Sequence, residues 1–331
     1  MRSRFLPSSW REQNKAVSTD LSEFRYLPGQ ARALGVAAPA VERLALTLPD
    51  GRTLSALRYG AGTPEATFLH GAGLNAHTWD TTLLLLGRPA LAIDLAGHGD
   101  SSWREDRDYS PRTLAADVAL ALEEWTDRPQ VLVGQSLGGL TGAAVAARHP
   151  QLVRSLVVVD ITPGLDTEAA PAVLRDFYTG ATDFASREEA VDRAQAFGFG
   201  GSRADTERGV FLNTRERPDG RIEWKHHFAH IVGHALSTFE RTVADRTEPD
   251  RTVPEDAEHG SEGWADLAAV TAPITLVRGA DGFLQDADVD EFTRRVPAAS
   301  VITVEARHNV QETAPAALAS LVSDALGRPA R

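Results

Sequence analysis

The stretch Val131-Leu132-Val133-Gly134-Gln135-Ser136-Leu137-Gly138-Gly139 constrains this chain more than any other. An apolar run stops at Gly-x-Ser-x-Gly, and a small-residue helical pattern, Leu140 to Arg148, follows without an intervening loop. The spacing predicts a strand that turns at once into a helix, with Ser136 at the apex. Gly134 and Gly138 suit that turn because a side chain at either place would clash across it. The turn lifts the Ser136 hydroxyl clear of the sheet and leaves the Leu137 N–H at a helix N-terminus, where partial positive charge collects. An inert serine in a glycine-rich turn is the plain alternative. It loses ground as the chain's other turns are added.

Residues 1–40 carry Pro7, Pro28, Gly29, Gly35 and Pro39, which interrupt any periodicity. A short helix over Thr19–Tyr26 is the element expected there, in an extension that packs outside the fold or stays partly disordered. The pattern changes at Val41, where Val41–Leu48 and Arg52–Tyr59 flank Pro49-Asp50-Gly51 and read as a hairpin. Ala66–Leu69 is a third strand running into His70-Gly71-Ala72-Gly73, whose glycines let a backbone N–H point at the serine. Arg88–Asp94 is a fourth, leaving through Gly97-His98-Gly99-Asp100-Ser101. Asp94 and His98 are polar enough for catalysis. A helix from Pro111 to Trp125 follows, with Ser110 as its cap. Beyond the elbow, Leu152–Val159 is a long apolar strand ending in Asp160-Ile161-Thr162-Pro163. A carboxylate at the C-terminal end of a parallel strand lies on the ligand-binding edge, so Asp160 is a candidate catalytic acid.

Residues 164–265 break the strand–helix rhythm and carry Phe177, Tyr178, Phe184, Phe197, Phe199, Phe211, Trp224, Phe228 and Phe239. Trp224-Lys225-His226-His227-Phe228-Ala229-His230 lacks the carboxylates and the helical histidine spacing of a zinc motif. Its histidines are read as pocket lining or packing, with no metal. Arg246–Gly263, acidic and proline-containing, reads as a mobile surface linker. The rhythm returns with a strand at Ala272–Gly279, then Asp281, a helix over Asp288–Arg295 and a strand over Ser300–Val304. His308 stands in the loop after that last strand.

His70-Gly71-Ala72-Gly73, Asp94 to Ser101, Gly134 to Gly138 and Arg307-His308-Asn309, in that order and at those intervals, resemble the serine branch of the α/β-hydrolase superfamily. The resemblance runs over about residues 41–328. It implies an α/β-hydrolase fold, a mostly parallel eight-stranded sheet with helices on both faces. The divisions would be an N-terminal extension (1–40), a core (41–163 and 266–331) and an inserted helical cap (164–265). It implies Ser136 as nucleophile, His308 as general base, and the N–H groups of Ala72 and Leu137 as oxyanion hole. The acid stays open between Asp160 and Asp281. Most relatives place it after the seventh core strand, usually three or four residues beyond the glycine, whereas Asp281 stands two beyond Gly279. A subset place it after the sixth, in a context like Asp160-Ile161-Thr162-Pro163, and Asp160 is preferred. His70, Gly71, Gln135, Trp79, Trp224 and His227 are candidate pocket residues, with core packing the stronger reading for Trp79.

A serine at the elbow excludes the aspartate-nucleophile epoxide hydrolases and haloalkane dehalogenases. The expected reaction is cleavage of an ester, lactone or thioester through an acyl-enzyme, without a cofactor. C–C bond hydrolysis or acyl transfer on the same scaffold is the alternative. A silent binding relative is the rival from another class, and the retained nucleophile, base and oxyanion glycines argue against it. An aromatic-rich cap favours a small to medium apolar substrate. Composition narrows the partners: with no cysteine, disulfides and thiolate chemistry are excluded, and a net charge of −12 argues against nucleic acid. No secretory signal or membrane span is readable, so a soluble cytoplasmic monomer or homodimer is expected.

Overall fold

The computed structural model describes residues 23–164, 180–231 and 261–327. Its centre is an eight-stranded sheet in the order β1-β2-β4-β3-β5-β6-β10-β11. These strands are β1 (Val41–Thr47), β2 (Thr53–Tyr59), β3 (Ala66–Leu69), β4 (Ala90–Asp94), β5 (Gln130–Gln135), β6 (Val153–Val159), β10 (Ile274–Asp281) and β11 (Ser300–Arg307). The β1–β2 hairpin and the β2–β4 pairing are antiparallel, and the rest of the sheet is parallel. The hairpin turns as expected at Asp50-Gly51, where the Leu48 N–H donates to Arg52 O at 2.7 Å and Gly51 adopts φ 85°. All residues of β3, β4 and β5 are buried, as parallel strands covered on both faces must be.

The helices α1 (Leu27–Leu34), α2 (Asp80–Leu86), α3 (Pro111–Trp125) and α4 (Leu137–Arg148) come before residue 164. Leu27 and Ala31 of α1 are buried in one core cluster with Trp79 and Leu83. Pro28 and Gly29, which interrupt the sequence periodicity, lie inside α1. Pro28 stands in the first turn of α1, where its missing N–H costs nothing, and Gly35 closes the helix at φ 68°. The described part of the expected helix over Thr19–Tyr26 is a single 3₁₀ turn, Glu23–Tyr26. Small residues bring α4 close to the sheet: a Cβ on Gly142 would stand 3.1 Å from Leu156 Cδ1.

Residues 180–231 form a small unit of their own. Strands β7 (Asp183–Phe184), β8 (Thr214–Glu216) and β9 (Ile222–Trp224) make an antiparallel sheet beside helices α5 (Arg187–Ala196) and α6 (Arg203–Asn213). Phe184, Ala190, Val191, Val210, Ile222 and Trp224 fill its separate core. It docks on the loop after β4: the His227 N–H donates to Gly97 O at 2.7 Å, the Trp103 indole donates to Lys225 O at 2.9 Å, and Lys225 pairs with Asp100.

The chain returns through α7 (Ser261–Ala269), whose Trp264 and Leu267 belong to the main core cluster. The boundary expected at 265 thus falls within a helix, and the expected linker Arg246–Gly263 lies outside the described residues except for its last three. Helices α8 (Asp286–Arg295), α9 (Val310–Thr313) and α10 (Pro315–Gly327) complete the fold. Helix α8 begins two residues before its expected start because Gln285 and Asp288 form a reciprocal capping box. Among the described residues, no helix is long and apolar enough to cross a membrane.

Candidate active site

Ser136 is the one residue between β5 and α4. Its backbone takes φ 51° and ψ −121°, a conformation that costs a residue with a Cβ on the order of 1–3 kcal/mol. The neighbouring glycines make it achievable. A Cβ on Gly134 would stand 2.2 Å from Gly138 O, and one on Gly138 would stand 2.3 Å from Leu69 O. The Ser136 N–H is tied to Val159 O at 3.0 Å, fixing the elbow to β6. Ser136 itself is half-buried between the buried Gln135 and Gly138.

Asp160 leaves β6 in the same left-handed region, at φ 51°, with its N–H donating to Val277 O at 2.8 Å. Its carboxylate is fully buried and accepts from the Gly279 N–H at 2.9 Å, the Phe283 N–H at 2.8 Å and His308 Nδ1 at 2.8 Å. A buried carboxylate needs such partners to remain charged. The turn after β10 wraps it closely: a Cβ on Gly282 would lie 2.3 Å from each of its oxygens. That turn is where Asp281 was expected to compete for the acid's place. Asp281 is still on β10, paired with Arg307, and its side chain is exposed. The turn brings backbone N–H groups to His308's partner, not a second carboxylate.

His308 lies face to face with the Phe283 ring, at 3.6 Å between centroids and 10° between planes. With Asp160 accepting at Nδ1, the neutral imidazole carries its proton there and presents a bare Nε2. That atom lies 2.9 Å from Gln135 Nε2. Ala72 and Leu137 are half-buried, and their N–H groups donate no hydrogen bond among the described residues. Gly71 makes their approach feasible, since a Cβ there would stand 3.3 Å from Ser136 Cβ and 2.2 Å from Gln135 Oε1.

Of the expected pocket residues, Gly71 and Gln135 border the serine, Trp79 is in the core as preferred for it, and His70, Trp224 and His227 are engaged in packing contacts. The fully buried His70 accepts the Leu95 N–H at Nε2 (3.0 Å) and donates from Nδ1 to Gly71 O (2.8 Å), bracing the oxyanion loop. Burial holds its pKa below the usual histidine value, which keeps it neutral for this arrangement. Trp79 is fully buried against Phe68. Trp224 packs on Phe184 inside the cap, and His227 stacks on Trp103 at 4.4 Å. Its neighbour His226 lies against Trp224, and burial holds its pKa down at about 3. Phe197 and Phe199 are likewise used in cap packing, while Phe211 meets Tyr26 and Arg25. Phe177, Tyr178 and Phe239 lie outside the described residues. The aromatic count therefore reports cap packing more than pocket lining.

An eight-stranded, mostly parallel sheet with a serine on a strained strand-to-helix turn has the architecture of an α/β hydrolase. The sequence matches the family model for the alpha/beta hydrolase fold over residues 67–315. Esterase Rv0045c of Mycobacterium tuberculosis is 36% identical over 318 residues, 93% of this chain and 97% of that protein. A solved structure of that esterase superposes with a TM-score of 0.76, covering 94% of this chain and 100% of the other. A pimeloyl-[acyl-carrier protein] methyl ester esterase of Aeromonas hydrophila is 34% identical over 170 residues, 46% of this chain and 61% of that protein. The chain belongs to the α/β-hydrolase family, and it is an ester-hydrolysing enzyme of that family.

Proposed function

We propose that the enzyme cleaves a carboxylic ester, lactone or thioester of a small to medium apolar substrate through an acyl-enzyme on Ser136. His308 takes the hydroxyl proton as Ser136 attacks the carbonyl, then returns it to the departing alcohol or thiol. Asp160 fixes the Nδ1–H tautomer and stabilises the imidazolium. The Ala72 and Leu137 N–H groups receive the developing oxyanion, each contributing about 3–4 kcal/mol of barrier lowering. Water then repeats the sequence on the acyl-enzyme. The observation that carries this reading is the 2.8 Å bond from His308 to a carboxylate that is itself held by two backbone donors, beside a serine elbow. Ala72, Leu137 and Phe283, each partly exposed around the serine, supply apolar walls.

The test is hydrolysis of p-nitrophenyl acetate and butyrate, together with fluorophosphonate labelling. Wild type should turn over and label. Ser136→Ala should do neither, with kcat down by at least about 10⁴-fold, and Asp281→Asn should match wild type. An active Ser136→Ala variant would refute the assignment of the nucleophile.

A further inference from the structure

Gln135 is the last residue of β5, and its side chain is buried beside the nucleophile without any role in the reaction just described. Its amide nitrogen lies 2.9 Å from His308 Nε2, and 3.4 Å from both His308 O and Asn309 Oδ1. Its Oε1 is buried, has no hydrogen-bond partner, and is pressed against Gly71, where a Cβ would stand only 2.2 Å away. The polarity of the contact follows from the other side of the ring. Asp160 accepts at Nδ1, so the neutral imidazole has its lone pair at Nε2, and the Gln135 N–H donates into it. Among the described residues the His308 ring nitrogens bond to Asp160 and Gln135, and none of these bonds goes to Ser136 Oγ. The lone pair that must accept the serine proton is already occupied.

We infer that Gln135 is a positioning residue that caps the general base in the resting enzyme and must release it before Ser136 can transfer its proton. The inference rests on the reading of His308 as base. Holding the lone pair has two consequences. The amide fixes the ring in the Nδ1–H tautomer from the side opposite Asp160. It also opposes protonation, because an imidazolium would place an Nε2–H donor against an N–H donor. Gly71 is part of the device, since only a residue without a Cβ leaves room for the amide oxygen while its nitrogen faces His308. On substrate entry the amide nitrogen withdraws, and Ser136 O–H takes its place at Nε2.

The test uses two variants of nearly the same volume. Gln135→Met removes the donor, and Gln135→Glu replaces it with an acceptor that welcomes the imidazolium. The readout is the acidic limb of kcat/KM against pH, which reports the base in the free enzyme. The limb should move to higher pH by about 0.5–1 in Gln135→Met and further in Gln135→Glu. A limb that stays put or moves down in either variant overturns the inference. Because a core substitution can impair folding, a second measurement leaves Gln135 in place. Histidine-ring nitrogen NMR of wild type and Ser136→Ala, with the His308 signals assigned by their loss in His308→Gln, should show Nδ1 protonated and Nε2 as a hydrogen-bonded acceptor near pH 7 in both; an Nε2 without a bond in Ser136→Ala, where no serine hydroxyl is left to donate, overturns the inference. A protonated Nε2 there overturns the inference as well. If Ser136 instead fails to label with fluorophosphonate, the functional reading fails, and the NMR result still decides the Gln135 contact.

Discussion

Two aspartates close parallel strands at the same edge of the sheet, Asp94 ending β4 and Asp160 following β6. Both are buried, and each carboxylate accepts two backbone N–H groups: Ala76 and Asp100 for Asp94, Gly279 and Phe283 for Asp160. Each is also pressed by a glycine. A Cβ on Gly99 would come within 2.2 Å of the Asp94 carboxylate, as one on Gly282 would within 2.3 Å of Asp160. The third partner differs. Asp94 meets the Arg43 guanidinium at 2.7 Å, and Arg43 is held in turn by Glu23. Burial pushes the Asp94 carboxyl up, but Arg43, His70 and the backbone donors outweigh it and hold the pKa at about 2. Asp160 meets an imidazole whose far nitrogen faces the serine elbow. A permanent cation locks a carboxylate into structure, whereas a ring that can gain and lose a proton makes it part of a mechanism.

Exchanging each carboxylate for its amide should separate the two roles. Asp160→Asn lets His308 take the wrong tautomer and sets its NH2 against one backbone N–H, so kcat should fall by about 10⁴-fold for a stability loss of only about 1–3 kcal/mol. Asp94→Asn takes one buried carboxylate from Arg43, which keeps Glu23 and Asp100, and sets an amide NH2 against a backbone N–H; about 2–4 kcal/mol should go in chemical denaturation, while the folded enzyme keeps kcat within about tenfold. The comparison is broken if Asp94→Asn loses rate at full stability, or if Asp160→Asn loses stability at full rate.

How much of this can be read from the chain depends on how local it is. The elbow, the oxyanion loop and the exits of β4 and β6 are each set by a few consecutive residues, so Ser136, Ala72, Leu137 and the two aspartates could be singled out. So could His308, by its place after the last strand, whereas Arg43 as the partner of Asp94 and Gln135 as the partner of His308 could not. Arg43 reaches Asp94 across 51 positions and Gln135 reaches His308 across 173, and both contacts depend on strand register and side-chain direction. Asp281 stayed a candidate only because most relatives keep the acid after that strand, and its short spacing from Gly279 was the sign against it. One residue of extra strand keeps its side chain in solvent. Trp224 and His227 misled, since an aromatic run reports burial without saying against what.

The glycines offer a finer version of the same contrast. Gly282→Ala should shift the Asp160 carboxylate, and a displacement near 1 Å at a base's partner can cost about 10²-fold in kcat. Gly99→Ala pushes on Asp94 instead and adds strain at φ 54°, so about 2 kcal/mol of stability should go with little change in rate. Rates and denaturation midpoints for the pair decide it. Equal losses of rate would mean the two cradles are not distinct.

The Asp94 side of the contrast also carries a pH dependence. His77 is buried between Asp80 and Glu23, and Asp80 also accepts the Tyr59 hydroxyl. Burial lowers the His77 pKa, but Asp80 and Glu23 raise it more, to about 9. Burial raises the Glu23 pKa, but its bonds to His77 and Arg43 lower it to about 2. A raised histidine stabilises the fold fully below its unfolded value of about 6.5, and that contribution disappears as pH rises towards 9. A depressed carboxyl stabilises above about 4.5, and its contribution disappears as pH falls towards 2. Stability should therefore be greatest between about pH 5 and 6.5 and fall by on the order of 2 kcal/mol between pH 7 and 9. The two groups share a bond, so His77→Gln should flatten the alkaline fall and also weaken Glu23's hold at acid pH. Denaturation midpoints across that range provide the check. An alkaline slope unchanged in His77→Gln would place the titrating group outside the Asp94 network and remove this difference between the two carboxylates.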